Sequence, residues 1–363
     1  MKPTRRLHDM GQSLWLDTIT RGLLTSGTLA RYIEELDLTG LTSNPTIFDL
    51  AIQEGDYDEE IRSLAQAGRS GEALFYEIAL EDLARAADLF RPAHEASAGI
   101  DGWVSLELSP LLAEDAKGSI AAAARLHAKA QRPNLFIKIP GTPAGTRAIE
   151  ESIFAGVPIN VTLLFSREQY LASAEAYMRG IERRIAAGRD PRVASVASLF
   201  VSRWDVAVKD KVPAELRNRL GIAIAMRTYK AYRELLASPR WSRLAAAGAR
   251  TQRLLWASTG TKDPAAPDLL YVEALAAPDT IDTMPEKTLH ALADHGKAES
   301  AMPADGGDAE EVIAQFRHAG IDDDALAATL QREGDATFTK SWNDLMERIA
   351  SKSAVQRRAG GSR

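Results

Sequence analysis

Lys138 stands between Ile137 and Ile139 in the run Leu135-Phe-Ile-Lys-Ile139, which Pro140-Gly141 stops at once. The run reads as a short buried strand. Successive strand residues point to opposite faces, so the lysine projects away from the face that carries both isoleucines. An ammonium amid such packing is costly unless it is paired or its pKa falls. A lysine whose pKa falls toward neutrality is an amine nucleophile for a carbonyl carbon, whereas one that snorkels past the strand end to water does no chemistry. Two carboxylates fall in comparable places: Asp17 closes Ser13-Leu-Trp-Leu-Asp17, and Glu107 lies late in Gly102-Trp-Val-Ser-Leu-Glu-Leu108. Asp17 is equally a residue type that caps helices, and Glu107 one that pairs with a lysine, Lys138 included.

These residues need elements to hold them. Short apolar runs recur at 13–17, 38–44, 102–108, 135–139, 157–163, 193–201, 253–258 and 279–284. Most are separated by segments with helical periodicity, among them 72–90, 115–131, 166–187 and 214–237. Eight strands alternating with helices point to a parallel sheet closed into an α/β (β/α)8 barrel with additional helices. An open doubly wound sheet is the other arrangement, but no glycine-rich phosphate turn follows the first strand. Polar residues recur late in the strands: Asp17, Asn44, Glu107, Lys138, Thr162, Ser198 and Ser258. In a barrel those strand ends converge on one rim, where such enzymes keep their active sites. A last helix from about Asp335 to Lys352 carries Phe338, Trp342, Leu345 and Ile349 on one stripe and is expected to pack on the barrel. The chain therefore reads as one domain over 1–352 with a flexible tail at 353–363, and with a mobile glycine-rich loop at 296–308.

Composition narrows the chemistry. The 363 residues carry a formal net charge of −6, which gives no footprint for nucleic acid or an anionic membrane and favours small-molecule partners. There is no cysteine, so thiol nucleophiles, disulfides and thiolate metal sites are excluded. The six histidines show no paired ligand spacing, and no metal is expected. The basic start lacks an apolar core and a cleavage site, and no apolar run reaches membrane-span length, which reads as a cytoplasmic protein.

Four ordered motifs carry a resemblance: Gly40-Leu-Thr-Ser-Asn-Pro-Thr46, Leu135-Phe-Ile-Lys-Ile-Pro-Gly-Thr-Pro-Ala-Gly145, Ile159-Asn-Val-Thr-Leu-Leu-Phe-Ser166 and Ser198-Leu-Phe-Val-Ser-Arg-Trp-Asp205. On these the chain resembles the transaldolase family, in its longer bacterial form, over nearly its whole length. The resemblance implies a (β/α)8 barrel without a cofactor that moves a dihydroxyacetone unit from a ketose phosphate to an aldose phosphate in the non-oxidative pentose phosphate pathway. It assigns Lys138 as the Schiff-base lysine and Asp17 as the acid/base for the substrate C4 hydroxyl. Glu107 and Thr162 would hold the catalytic water, and Asn44, Asn160 and Ser198 would contact the dihydroxyacetone unit. Phe200 would shape the pocket, with Ser258 at the end of strand seven. Arg203 would bind phosphate. Many relatives carry a second arginine soon after the strand-seven serine; here the text runs Ala257-Ser-Thr-Gly-Thr-Lys-Asp263, and Lys262 takes that place. Sugar phosphates are the implied partners, with a monomer or homodimer as the assembly. Two other functions fit parts of the pattern: a fructose 6-phosphate aldolase, which resembles a shorter barrel, and a phosphosugar-binding barrel without turnover.

Overall fold

The structure is a computed structural model that describes residues 2–297 and 300–360, with side chains described to residue 354. Eight strands form it: β1 (Gln12–Leu16), β2 (Leu38–Thr42), β3 (Trp103–Glu107), β4 (Leu135–Pro140), β5 (Ile159–Leu164), β6 (Ser195–Phe200), β7 (Gln252–Ala257) and β8 (Thr280–Met284). They close in sequence order into one barrel in which every neighbouring pair is parallel, β8 returning to β1. All eight expected strands are present, with ends shifted by no more than two residues.

Alternation sorts each strand into two faces. Leu14, Leu16, Leu41, Val104, Ile137, Ile139, Val161, Leu254 and Met284 join the apolar layer shared with the surrounding helices. Trp15, Trp103, Phe136, Val196, Leu255 and Ile281 belong to a second cluster that fills the barrel. That cluster continues through Leu163, Phe165, Phe200 and Trp204 to Phe316, Leu330 and Phe338 of the last two helices. The barrel is thus a packed core whose upper end merges with the elements that follow β8.

Three helices, Pro45–Gln53, Asp58–Gln66 and Gly71–Ala96, stand between β2 and β3. Three more follow β8: Glu286–His295, Ala309–His318 and Asp323–Gly360. Here the structure departs from the sequence expectation. The last helix begins at Asp323 rather than near Asp335, and it continues past Lys352 to Gly360, where a tail was expected; residues 361–363 lie outside the described residues. Its early start is fixed by tertiary contacts. Asp323 is buried, takes Arg227 Nη1 at 2.8 Å and Arg317 Nη2 at 2.9 Å, and so anchors the helix to two others. Of the glycine-rich stretch expected to be mobile, residues 298 and 299 lie outside the described residues. Met302 within it is buried, and its N–H donates to the Ala276 carbonyl at 2.7 Å. Among the described residues no helix is long and apolar enough to cross a membrane.

Candidate active site

The strand ends bring the lysine and carboxylates together by register. Glu107 on β3 lies beside Lys138 on β4, and Lys138 lies beside Asn160 on β5. Lys138 Nζ donates to Glu107 Oε2 at 2.9 Å and to the Ser43 carbonyl at 3.1 Å. Both side chains are buried, so the pair costs desolvation that its close geometry and hydrogen bonds offset. The lysine does not snorkel to water. Burial pushes the Glu107 carboxyl above the usual carboxylate range, with the Lys138 ammonium pulling it back only in part. A carboxylate so raised, hydrogen-bonded to an ammonium, is a proton acceptor for it.

The turn after β4 is equally specified. Thr142 Oγ1 accepts from Gly145 N at 3.0 Å and caps the helix Pro143–Ala155, with Pro143 at its first turn. A Cβ on Gly145 would sit 1.8 Å from the Pro140 carbonyl oxygen. The Pro-Gly-Thr-Pro-Ala-Gly text is therefore what lets a helix start immediately above the lysine.

Asp17 is not a helix cap. The next helix, Arg21–Thr25, is capped by Thr20. Asp17 Oδ1 instead accepts from Thr42 Oγ1 at 2.7 Å, and Thr42 Oγ1 is also 2.7 Å from Thr283 Oγ1. Thr42 has one hydroxyl hydrogen, so Thr283 donates to Thr42 when Thr42 donates to the carboxylate. Burial raises the Asp17 carboxyl above the usual range; Lys138, the Thr42 hydroxyl and Lys262 each act against that rise.

A pocket of about 120 Å³ opens at this rim, with Asp17, Asn44, Lys138, Thr162, Ser198, Phe200, Arg203, Ser258 and Lys262 in its wall. Glu107 and Asn160 lie outside the wall. Asn160 is fully buried; its Nδ2 donates to Ser105 Oγ at 3.1 Å and its Oδ1 accepts from Ser198 Oγ at 2.7 Å. Asn44 caps the helix Pro45–Gln53 through Ile47 N at 3.1 Å while also facing the pocket. Thr162 Oγ1 is buried without a hydrogen-bond partner among the described residues. A register shift in β5 between Val161 and Leu164 encloses it, with Leu163 at φ +57° and its carbonyl accepting from Gln331 of the last helix at 2.9 Å.

The two expected phosphate cations face the pocket from adjacent elements. Arg203, in the helix Ser202–Val208, forms no ion pair among the described residues; its guanidinium carbon lies 5.2 Å from the Phe200 ring centre and 5.9 Å from that of Phe338. Burial lowers its pKa, against the pull of Glu107 and Glu333. Lys262 is exposed on the loop after β7. That loop is tied to the neighbouring strands: Ser258 Oγ meets Ser202 Oγ at 2.9 Å, and Thr259 Oγ1 donates to Asp282 Oδ1 at 2.7 Å.

Four contributors escaped the sequence reading. Thr42 shares a strand face with Gly40 and Asn44, a signal that alternation offers. Thr283 follows the same rule on β8. Ser43 acts through its carbonyl, which no side-chain pattern reveals. Phe338 reaches the wall from the last helix, whose stripe the sequence offered as core packing and as a cover for the barrel mouth without naming Phe338 as a site residue.

A larger cavity, about 800 Å³, lies at the opposite end of the barrel beside Ser13, Asp101, Trp103 and Arg253. Its charged groups are engaged with the protein itself. Arg253 Nη2 donates to Ser13 Oγ and to the Thr280 carbonyl, both at 2.7 Å, and Asp101 accepts from Trp15 Nε1 at 3.0 Å. Its described lining includes no lysine, and its carboxylates Asp101 and Asp279 are both hydrogen-bonded within the protein.

Fold and site together define a (β/α)8-barrel enzyme with a buried lysine–carboxylate pair at its catalytic rim. The family model described as transaldolase/fructose-6-phosphate aldolase matches residues 14–349. A transaldolase of Parafrankia sp. (strain EAN1pec) is 45% identical, the match covering 96% of this chain and 97% of that one. A transaldolase of Thermobifida fusca (strain YX) is 44% identical over 97% of this chain and 99% of that one, and one of Thiobacillus denitrificans is 43% identical over 96% and 100%. The chain belongs to the transaldolase/fructose-6-phosphate aldolase family.

Proposed function

We propose that the protein acts as a transaldolase through a Schiff base on Lys138, transferring a dihydroxyacetone unit from a ketose phosphate to an aldose phosphate in the pentose phosphate pathway of the cytoplasm. The observation that carries this reading is the buried Lys138–Glu107 pair at 2.9 Å, opening on a pocket whose wall holds Asp17, Arg203 and Lys262. Match to relatives named transaldolase along nearly their full length supports transfer over simple aldol cleavage.

Proton loss from Lys138 to the raised Glu107 frees the amine lone pair, which attacks the ketose C2 carbonyl. The carbinolamine then loses water to give the imine. Thr162, whose buried hydroxyl has no hydrogen-bond partner among the described residues, is suited to hold that water with Glu107. Asp17 takes the C4 hydroxyl proton; the C3–C4 electron pair flows into the protonated imine, and an aldose phosphate leaves. The remaining enamine attacks the acceptor aldehyde, Asp17 returns the proton, and water releases the product. Arg203, which forms no ion pair among the described residues and lies near two aromatic rings, is suited to bidentate phosphate binding, with Lys262 as a point charge. The barrel and its helical insertions over 1–352 act as one domain in this reading.

Borohydride reduction in the presence of fructose 6-phosphate, followed by mass mapping, tests it. The adduct is expected on Lys138 and absent in Lys138→Ala. An adduct of equal yield on another lysine would overturn the assignment. Repeated turnover that releases free dihydroxyacetone without an acceptor aldose would make the protein an aldolase instead.

A further inference from the structure

We propose that Gly334 is a positioning residue: the side chain it lacks is what leaves room for the Arg203 guanidinium at the pocket wall. The inference rests on the reading of Arg203 as the phosphate ligand and extends it to an element that no motif includes.

Gly334 sits inside the helix Asp323–Gly360. Its backbone is not left-handed, so no turn demands glycine there. In a helix interior glycine is disfavoured relative to alanine, and its presence calls for a reason in packing. A Cβ at this position would lie 3.2 Å from Arg203 Nη1 and 2.9 Å from Leu163 Cδ2. The leucine methyl ends a flexible side chain and can move aside. The guanidinium has less room to retreat, because the Phe200 and Phe338 rings lie near it, their centres 5.2 Å and 5.9 Å from its carbon. Phe338 is one turn beyond Gly334, on the same helix face.

The helix itself is pinned at this level. Gln331, one turn before Gly334, donates from Nε2 to the Leu163 carbonyl at 2.9 Å and to the Gly141 carbonyl at 3.2 Å. Gln331, Gly334 and Phe338 thus face the rim together: an anchor, a gap and a ring. With the anchor fixing the helix, a methyl at 334 is relieved by displacing Arg203 by a few tenths of an ångström. A phosphate held by a planar fork is sensitive to such a displacement, since both hydrogen bonds depend on direction.

The test compares the wild type with Gly334→Ala, Phe338→Leu and Arg203→Lys. It reads KM for fructose 6-phosphate, the inhibition constant of inorganic phosphate, kcat and Tm. For Gly334→Ala, KM and the phosphate inhibition constant should both rise about five- to tenfold while kcat stays within about twofold, as a weakened charge-assisted hydrogen bond implies. Its Tm should equal or exceed that of the wild type, because alanine favours the helix. Phe338→Leu should raise the same two constants and carries the test if Gly334→Ala does not fold. Wild-type constants in Gly334→Ala, with Arg203→Lys impaired, would overturn the inference and leave the phosphate assignment standing. A joint fall in Tm and kcat would also overturn it, showing that the glycine only seats the helix. Unchanged constants in Arg203→Lys would remove the phosphate assignment and the inference together.

Discussion

The Thr42 hydroxyl gives its one proton to Asp17 and accepts from Thr283, and that donation bears on the charge of the carboxylate. Its hydrogen bond favours the ionised carboxylate and opposes the rise that burial imposes. Replacing it, as in Thr42→Val, should therefore raise the Asp17 pKa further. With Asp17 as the proposed base, the acid limb of the kcat profile should move to higher pH, with the plateau above it little changed. A limb that stays put would assign that titration to another group. Asp17→Ala makes the complementary separation. It should still allow borohydride trapping on Lys138, yet carbon–carbon cleavage should fall by at least about 100-fold, the usual contribution of a positioned acid or base. Equal losses in trapping and cleavage would give Asp17 a different role. These side chains were legible in the sequence because strand alternation and position near a strand end are local properties. Of their partners, only the pairing of Glu107 with Lys138 was among the readings, and then as one alternative. Whether Glu107 pairs with Lys138 depends on the register between β3 and β4, which no single run of residues encodes.

Among the elements, the strands and the final helix contrast in how far their sequence announced them. Each strand is a short apolar run stopped by turn residues, so all eight could be read from pattern. The first half of the last helix carries no such signature. Its text, Asp323-Asp-Ala-Leu-Ala-Ala-Thr-Leu-Gln-Arg-Glu-Gly334, is small and polar on several faces, and its place is fixed by Arg227, Arg317 and the barrel rim. The second half has the stripe that the sequence does show. Trp342 is buried there, its ring centre 5.1 Å from that of Phe75 and 5.9 Å from that of Tyr76. Trp342→Ala should cost about 3–5 kcal/mol of stability, as a large cavity in a packed core does. Because Phe338 lies one turn away, catalysis should suffer as well. Urea unfolding and kcat measured on one preparation would check both; a destabilised protein with full kcat would show the pocket to be independent of this packing.

For the whole molecule, the buried carboxyl of Asp282 couples stability to pH. Asp282 has no exposed surface, and burial pushes it up to about 7 despite the hydrogen bond from Thr259. Between about 4 and about 7 the folded protein holds a proton that the unfolded chain releases, so stability falls as pH rises through that window. Asp282→Asn, which keeps an acceptor for Thr259, should remove this slope. Its stability relative to the wild type should grow between pH 5 and pH 8 by an amount on the order of 1–4 kcal/mol, read from urea midpoints. Parallel curves would exclude the carboxyl as the source. The closed ring of strands has a consequence of another kind, in the time course of synthesis. The partner that β1 lacks after pairing with β2 is β8, which ends at Met284. At ~5–20 residues per second, a ribosome needs roughly a quarter of a minute to a minute to make the chain between them. For that interval every nascent chain presents unpaired strand edges, and only afterwards does the helix bearing Phe338 emerge to complete the pocket. The catalytic rim is therefore among the last parts of the molecule to exist.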